Sequence, residues 1–372
     1  MQITFTREQE DLRAVLRGFL AENSDVRALI DGEGGHDPHL WRRMAGEIGV
    51  QGLAIPERYG GAGGTSAELC VVFEELGRTL AGGAMLGTIG MAVPALLASG
   101  TGGLQAELLS GIADGSLVAA VAVAESDGSW DLPRPATKAC PATGSFLLEG
   151  AKYFVPDGMV ADLFLVSAAT PDGPALFAVL GDAAGLSRTA HATVDRTRGL
   201  ARIDFASTPA WLLEMGTHAL EEALDHGRAA LAAEQAGGAQ HCLEMAVEYA
   251  KSRHQFGRPI GSFQAIKHHA ADMLVAVESA RSAAYYASLA PQEDPSRLSI
   301  AATTAQVCCS QAYTHVAAET IQIHGGIGFT WEHDAHLYYK RAKSDEVLLG
   351  GPDWHRDRLA RLIGIVEEDT DD

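Results

Sequence analysis

Residues 251–273 read KSRHQFGRPIGSFQAIKHHAADM, and the interpretation of this stretch decides the fold of the last third of the chain. A helix carrying Ala250 and Lys251 is expected to stop near Gly257-Arg258-Pro259, since glycine ends helices readily and proline cannot continue one. Ser262 then offers a hydroxyl to cap a new helix starting at Phe263. Arg253 and Phe256 fall in the connection, and Gln264 in the first turn of the next helix. A guanidinium beside helix-terminal N–H groups suits a phosphate or pyrophosphate. The same residues fit equally an ordinary helical hairpin with a surface arginine.

On either side of this stretch the chain reads as long helices, roughly 215–252, 263–289 and 296–323, with shorter ones near 334–345 and 353–364. Small-large patterning such as Ala229-Ala230-Leu231-Ala232-Ala233 suits closely packed antiparallel helices. The tail from Glu367 to Asp372 is expected to be solvated and frayed. Residues 117–213 have a different texture. Leu117–Ala124 is an apolar run, and short strands are expected at Phe146–Leu148, Tyr153–Val155, Leu163–Ser167, Leu176–Leu180 and Arg202–Phe205, separated by turn residues. Before residue 117 the pattern is again helical, opening on the capping-box sequence Thr6-Arg7-Glu8-Gln9. Further helices are expected near His39–Ile48, 66–80, 85–99 and 104–113. The expected fold is α+β and mainly α. It comprises an N-terminal helical domain (1–116), a central antiparallel β-domain (117–213) and a C-terminal helical bundle (214–372).

Composition narrows the function. A net charge of −20 argues against nucleic acid and against an anionic membrane surface. An anionic ligand must therefore be met by local basic groups. The five cysteines form no CxxC and cannot all pair, which suggests a reducing, cytoplasmic setting. No apolar run is long enough for a transmembrane helix. The fourteen histidines include no HExxH, and no metal site is expected. GxSxG is absent, so a serine-hydrolase elbow is not indicated. Gln322-Ile323-His324-Gly325-Gly326-Ile327-Gly328-Phe329 closes the third long helix, and its glycines would let a ligand approach the backbone. The segment also reads as a helix C-cap and turn. It lacks the lysine and hydroxyl of a P-loop.

RxxFGxPIxxFQ followed by the Gln322–Phe329 glycine motif, with Pro56-Glu57-Arg58-Tyr59-Gly60-Gly61 near the start, resembles the acyl-CoA dehydrogenase family over essentially the whole chain. The resemblance implies helical, β-barrel-like and four-helix-bundle domains, assembled as dimers or tetramers. FAD would lie between the β-domain and the bundle, with contacts from a neighbouring subunit. By position, Arg253 resembles the arginine that binds the FAD pyrophosphate across the dimer, with Phe256 and Gln264 beside the same cofactor. Gln322, Gly325 and Gly326 resemble the segment holding the adenosine and pyrophosphate from the neighbouring chain. Arg253 is thus expected to face a cavity lined by those three residues of another chain. Ala122–Ser129, including Ala124 and Ser129, falls at the flavin loop, and Phe154-Val155-Pro156 at the segment against the isoalloxazine. Arg228 matches an arginine of the substrate site.

Three departures stand out. Ala124 replaces a hydroxyl that touches the flavin, in a loop one residue short; Pro156 replaces a threonine; and the glutamate that removes the α-proton of the acyl thioester falls on Leu349. A second family location for that base is Gly227. Such a base typically contributes about 10²–10⁴-fold to rate. Neither leucine nor glycine accepts a proton, which leaves Glu234, Asp345 or Glu346 as substitutes. The resemblance therefore implies either α,β-dehydrogenation of an acyl-CoA with FAD, or a non-catalytic subunit completing the FAD site of an active partner.

Overall fold

The computed structural model describes residues 4–32, 35–100, 102–130, 132 and 135–366; the acidic tail lies outside them. The helices are α1 (Arg7–Asn23), α2 (Val26–Asp31), α3 (Pro38–Arg43), α4 (Ser66–Thr79), α5 (Val93–Ala98), α6 (Gly103–Ala113), α7 (Gly216–Ser252), α8 (Gln264–Glu293), α9 (Leu298–His324), α10 (Ala335–Asp345) and α11 (Pro352–Leu362). Strands β1 (Ala119–Ala122), β2 (Lys138–Ala142), β3 (Ser145–Pro156), β4 (Leu163–Thr170), β5 (Gly173–Leu180), β6 (Leu186–Ala190) and β7 (Leu200–Leu213) lie in between. The short strands β8 (His254–Gln255) and β9 (Arg258–Pro259) follow α7.

The order of helices, sheet and helices matches the sequence reading, with local corrections. The expected strands at 146–148 and 153–155 are one strand, β3. Bulges between Leu148 and Glu149 and between Lys152 and Val155 break its alternation, so the ends read as separate pieces. The helix α2 and the strands β2 and β6 were not anticipated as elements from the pattern, being short or polar. The expected helix at 39–48 is α3 followed by a π-helical turn, Met44–Ile48, and that at 85–99 is π-helical over Leu86–Ala92 before α5. Asp37 caps α3 by accepting from the His39 and Leu40 amides, with Pro38 preset at the first position.

Contacts gather the chain into two compact units: Met1–Ser24 with Ser66–Ala81 and Arg228–Asp372, and Asp25–Thr65 with Gly82–Gly227. In the second unit the sheet closes on itself, β4-β2-β3-β7-β5-β4, through eight antiparallel pairs between β4 and β5 and a single bridge, Lys138 with Ala169. Most pairings are antiparallel; β1 runs parallel to β4. Phe164, Phe177, Val179 and Ile203 fill the interior.

The first unit is a bundle centred on α9. Gln306 and Thr320 of α9 donate to the Arg228 and Cys242 carbonyls of α7, Cys309 Sγ donates to Ala280 O of α8, and Arg358 of α11 reaches Thr303. These four helices form the expected bundle. The helix α4 crosses α7 backbone to backbone. A Cβ on Gly77 would come within 1.9 Å of the Glu234 carbonyl oxygen, and one on Gly237 within 1.9 Å of that of Glu74. A charge network joins α1, α4 and α8: Arg13 donates to Glu74 at 2.6 Å, Arg17 to Glu75 at 2.7 Å, and Tyr285 to Glu74 at 2.9 Å. Both glutamates are buried, so each depends on these donors.

Candidate functional site

The stretch after α7 is a β-hairpin rather than a helix-to-helix turn. His254–Gln255 pairs with Arg258–Pro259 around Phe256 and Gly257, whose φ angles are +52° and +77°. Two successive positive φ values suit a tight two-residue turn, easy for glycine and unusual for phenylalanine. The turn places Phe256 at 90% exposure. Ser262 does not cap α8: its hydroxyl donates to the Pro259 carbonyl at 2.7 Å. Phe263 occupies the cap position with no side-chain hydrogen bond, so the first amides of this 30-residue helix are left to other acceptors. Arg253 and Gln264 are exposed, and Arg253 makes no ion pair with any described residue.

The glycine motif lies at the end of α9. Gly325 has φ +65° and ψ −143°, a conformation that glycine adopts and side chains resist. A Cβ on Gly325 or Gly326 would meet nothing within 4 Å, so both open onto free space; Gln322 is also exposed. His324 is buried and donates from Nδ1 to Thr320 O at 2.7 Å. Its ring stacks on Tyr249 at 4.3 Å, and burial pushes its pKa below the usual histidine range. Tyr249 stands one turn before Arg253. This stack joins the end of α7 to the glycine turn within one chain.

The base position lies elsewhere in the same unit. Leu349 is fully buried at φ +61°, and its carbonyl accepts from Arg228 Nε at 3.2 Å. The Arg228 guanidinium lies 5.0 Å from the Trp354 ring centroid, a cation–π contact, and the residue is 2% exposed. Glu234 is buried and ion-paired with Arg341. Glu346 pairs with Lys343. Asp345 is buried, and its carbonyl accepts from Gln235 at 3.1 Å.

In the β-containing unit, Ala124 is buried and its carbonyl accepts from the Tyr153 amide at 2.9 Å. The Ser129 amide donates to Asp127 Oδ1. Phe154 sits at φ +51°, in the bulge of β3, with its ring stacked on His191 at 5.0 Å; Val155 and Pro156 are buried. Asp225 is buried on α7, two residues before Gly227. A residue the sequence reading missed is Lys152. It is fully buried, and its ammonium donates to Val123 O at 2.9 Å and to Glu125 Oε1 at 2.5 Å. Glu125 also accepts from the Ala136 and Thr137 amides. Lys152 thereby pins the loop that begins at Ala124. Burial lowers its pKa, and Glu125 opposes that shift. The available signal was a lysine at an inward position of a strand. Among the described residues no group of three or more His, Cys, Asp or Glu gathers for a metal, and no helix is long and apolar enough to cross a membrane.

The order of elements and these motif positions are those of the acyl-CoA dehydrogenase fold. Residues 6–116 match the acyl-CoA dehydrogenase N-terminal domain and residues 214–364 the acyl-CoA dehydrogenase C-terminal domain, so the chain belongs to this family. It is 38% identical to the acyl-CoA dehydrogenase IpdE2 of Mycobacterium tuberculosis (strain ATCC 25618 / H37Rv), over 98% of this chain and 99% of that protein. Among solved structures it is similar to a variant of the Tcur3481-Tcur3483 steroid ACAD, with a TM-score of 0.88, 35% identity and coverage of 96% and 98%. It is also similar to the ChsE4-ChsE5 complex from Mycobacterium tuberculosis, with a TM-score of 0.90, 29% identity and coverage of 99% and 100%.

Proposed function

We propose that this chain is the supporting subunit of a hetero-oligomeric, cytoplasmic acyl-CoA dehydrogenase, in which a partner of the same family carries out α,β-dehydrogenation of an acyl-CoA thioester. The three-part division at 1–116, 117–213 and 214–372 goes with this reading. FAD, when bound, supplies the acceptor for the β-hydride. The described residues fit its pyrophosphate: an unpaired exposed Arg253, uncapped α8 amides, and an open glycine turn at Gly325-Gly326. Phe256 and Gln264 would flank the cofactor, Gln322 would hold its adenosine side, and Ala124, Ser129, Phe154 and Val155 would border the isoalloxazine. Arg228 is the matching residue at the acyl site. The steroid ACAD relative favours a substrate of fatty-acid or steroid side-chain type.

The observation that carries the supporting role is Leu349. It fills the base position, buried, with its carbonyl held by Arg228, while Glu234 and Glu346 are each committed to a cation. The test is turnover of a panel of acyl-CoAs with an artificial electron acceptor, for the chain alone with FAD and for the chain with a homologue that retains the glutamate. The expected result is activity in the mixed preparation alone. Turnover of the isolated chain at about 1 s⁻¹ or more, lost in Glu234→Gln or Glu346→Gln, would overturn the proposal and identify the base.

A further inference from the structure

Among the described residues no lysine other than Lys152 is buried, and the bonds it makes converge on one loop. Its ammonium donates to Val123 O at 2.9 Å and to Glu125 Oε1 at 2.5 Å. The next amide along β3, that of Tyr153, donates to Ala124 O at 2.9 Å. Three consecutive loop residues, Val123 to Glu125, are therefore held by two consecutive residues of β3. A bulge makes this possible. Tyr153 and Phe154 stand against a single residue of β7, Arg202, so their amides leave the ladder: one goes to Ala124 and the other to His191 Nε2.

The far end of the loop is fastened to the same strand. Glu125 Oε1 also accepts from the Ala136 and Thr137 amides at 3.0 and 3.3 Å, and Thr137 Oγ1 donates to Ala151 O at 3.2 Å. Gly150 leaves room for this approach, since a Cβ there would lie 2.9 Å from Thr137 Cα. Both ends of the segment 123–137 thus meet β3 around Lys152. An ion pair taken out of water is a poor source of stability, because apolar side chains of the same volume hold a core as well or better. What the pair adds is direction. It sets where the backbone runs on either side of Ala124, the residue read above as bordering the isoalloxazine.

We propose that Lys152 is a positioning residue for the flavin: through Val123 and Glu125 it holds the loop at Ala124 in the conformation that receives the isoalloxazine. The proposal rests on the cofactor reading already given for Ala124, Ser129 and Phe154.

The test compares the parent with Lys152→Met and with the double variant Lys152→Met/Glu125→Gln. The double variant removes both charges and keeps an acceptor for the Ala136 and Thr137 amides, so it carries no unpaired carboxylate. Hydrogen exchange of the FAD-free chain reads the loop itself. Titration of the assembled, FAD-stripped protein with FAD, followed by visible circular dichroism, reads the cofactor; the substitutions lie in this chain alone, so flavin held by the partner is an internal reference. In both variants exchange over residues 123–129 and at the Tyr153 amide should rise by about tenfold or more, while β4 and β5 keep the parental rates. FAD should bind this chain about tenfold or more weakly, with a changed flavin dichroism, and the double variant should not recover either property even where it recovers the melting temperature. Parental exchange of the loop in the double variant would overturn the proposal. So would a loosened loop that binds FAD with parental affinity and dichroism. A parent assembly that takes up no more FAD than the partner by itself would overturn the cofactor reading, and the proposal with it; the parent alone reveals that case, which keeps it distinct from the other two.

Discussion

Two places on the bundle unit, both reached from α7, handle their polar groups in opposite ways. At residue 228 the arginine is 2% exposed, bonded to the Leu349 carbonyl and covered by Trp354. At residue 253, just past the end of the same helix, the arginine is exposed and unpaired among the described residues, beside a phenylalanine at 90% exposure and a glycine turn open to space. A surface that keeps an unpaired guanidinium, an outward aromatic and uncapped helix amides forgoes stability within its own chain. Such a surface is useful where something else binds. The inner position has the reverse character: its guanidinium is buried and bonded within the chain, and a leucine fills the base position.

The largest expected effect tests whether the inner position is closed to chemistry. Alone, the chain should fall short of the mixed preparation by about 10²–10⁴-fold in turnover, the usual contribution of a positioned base. Steady-state rates with and without the partner measure this directly, and a difference under tenfold would break the contrast.

The next effect concerns Glu234. If it is structural, Arg341→Ala leaves a buried carboxylate without its cation and should cost about 3–5 kcal/mol of unfolding free energy in urea. The double replacement Arg341→Met with Glu234→Leu should recover most of that loss. A single variant as stable as the parent would reopen Glu234 as a free carboxylate.

Arg253→Ala probes the open edge. Charge-assisted bonds to a pyrophosphate are worth about 1.5–3 kcal/mol, so FAD affinity of the assembled protein should drop by roughly 10–150-fold. The unfolding free energy of the isolated chain should stay within about 0.5 kcal/mol, since the side chain pairs with nothing there. Unchanged FAD binding would remove Arg253 from the cofactor site.

The smallest effect sharpens the contrast through pH. Burial, reinforced by Arg78, pushes His241 on α7 down to about 4 from the usual 6.5. Between those values the unfolded chain binds the extra proton and the folded chain does not. Stability is therefore complete above about pH 6.5 and is lost as pH falls toward 4. His36 and His324, also lowered by burial, act in the same direction. Melting temperatures at pH 7.5 and pH 5 should differ less in His241→Gln than in the parent.

Much of this was legible in the sequence. Small-residue runs marked the bundle, and turn residues marked the sheet, because close helix packing and chain reversal restrict composition strongly. The motif positions also stood out, since glycine at residue 325 answers to a backbone angle. What the sequence hid was pairing. Nothing in Lys152 announces that it reaches Val123 and Glu125, and nothing in Glu234 announces Arg341, because both partnerships span the fold. The Phe256-Gly257 hairpin was missed because phenylalanine at positive φ runs against its local preference. Ser262 was read as a cap from residue type, yet its hydroxyl turns back to Pro259.

The bundle unit is discontinuous in sequence, and this bears on how the protein is made. The helices α1 and α4 lie within the first 81 residues, but the rest of their unit begins at residue 228, inside α7. At a synthesis rate of about 5–20 residues per second, α4 leaves the ribosome roughly 7–30 s before α7 begins to follow it. During that interval Val71, Val72, Phe73 and Leu76, all buried in the finished fold, have no bundle to enter. The narrow seam at Gly77 and Gly237 forms only after that wait. A nascent chain of this protein therefore presents an apolar helix to chaperones well before its fold can cover it.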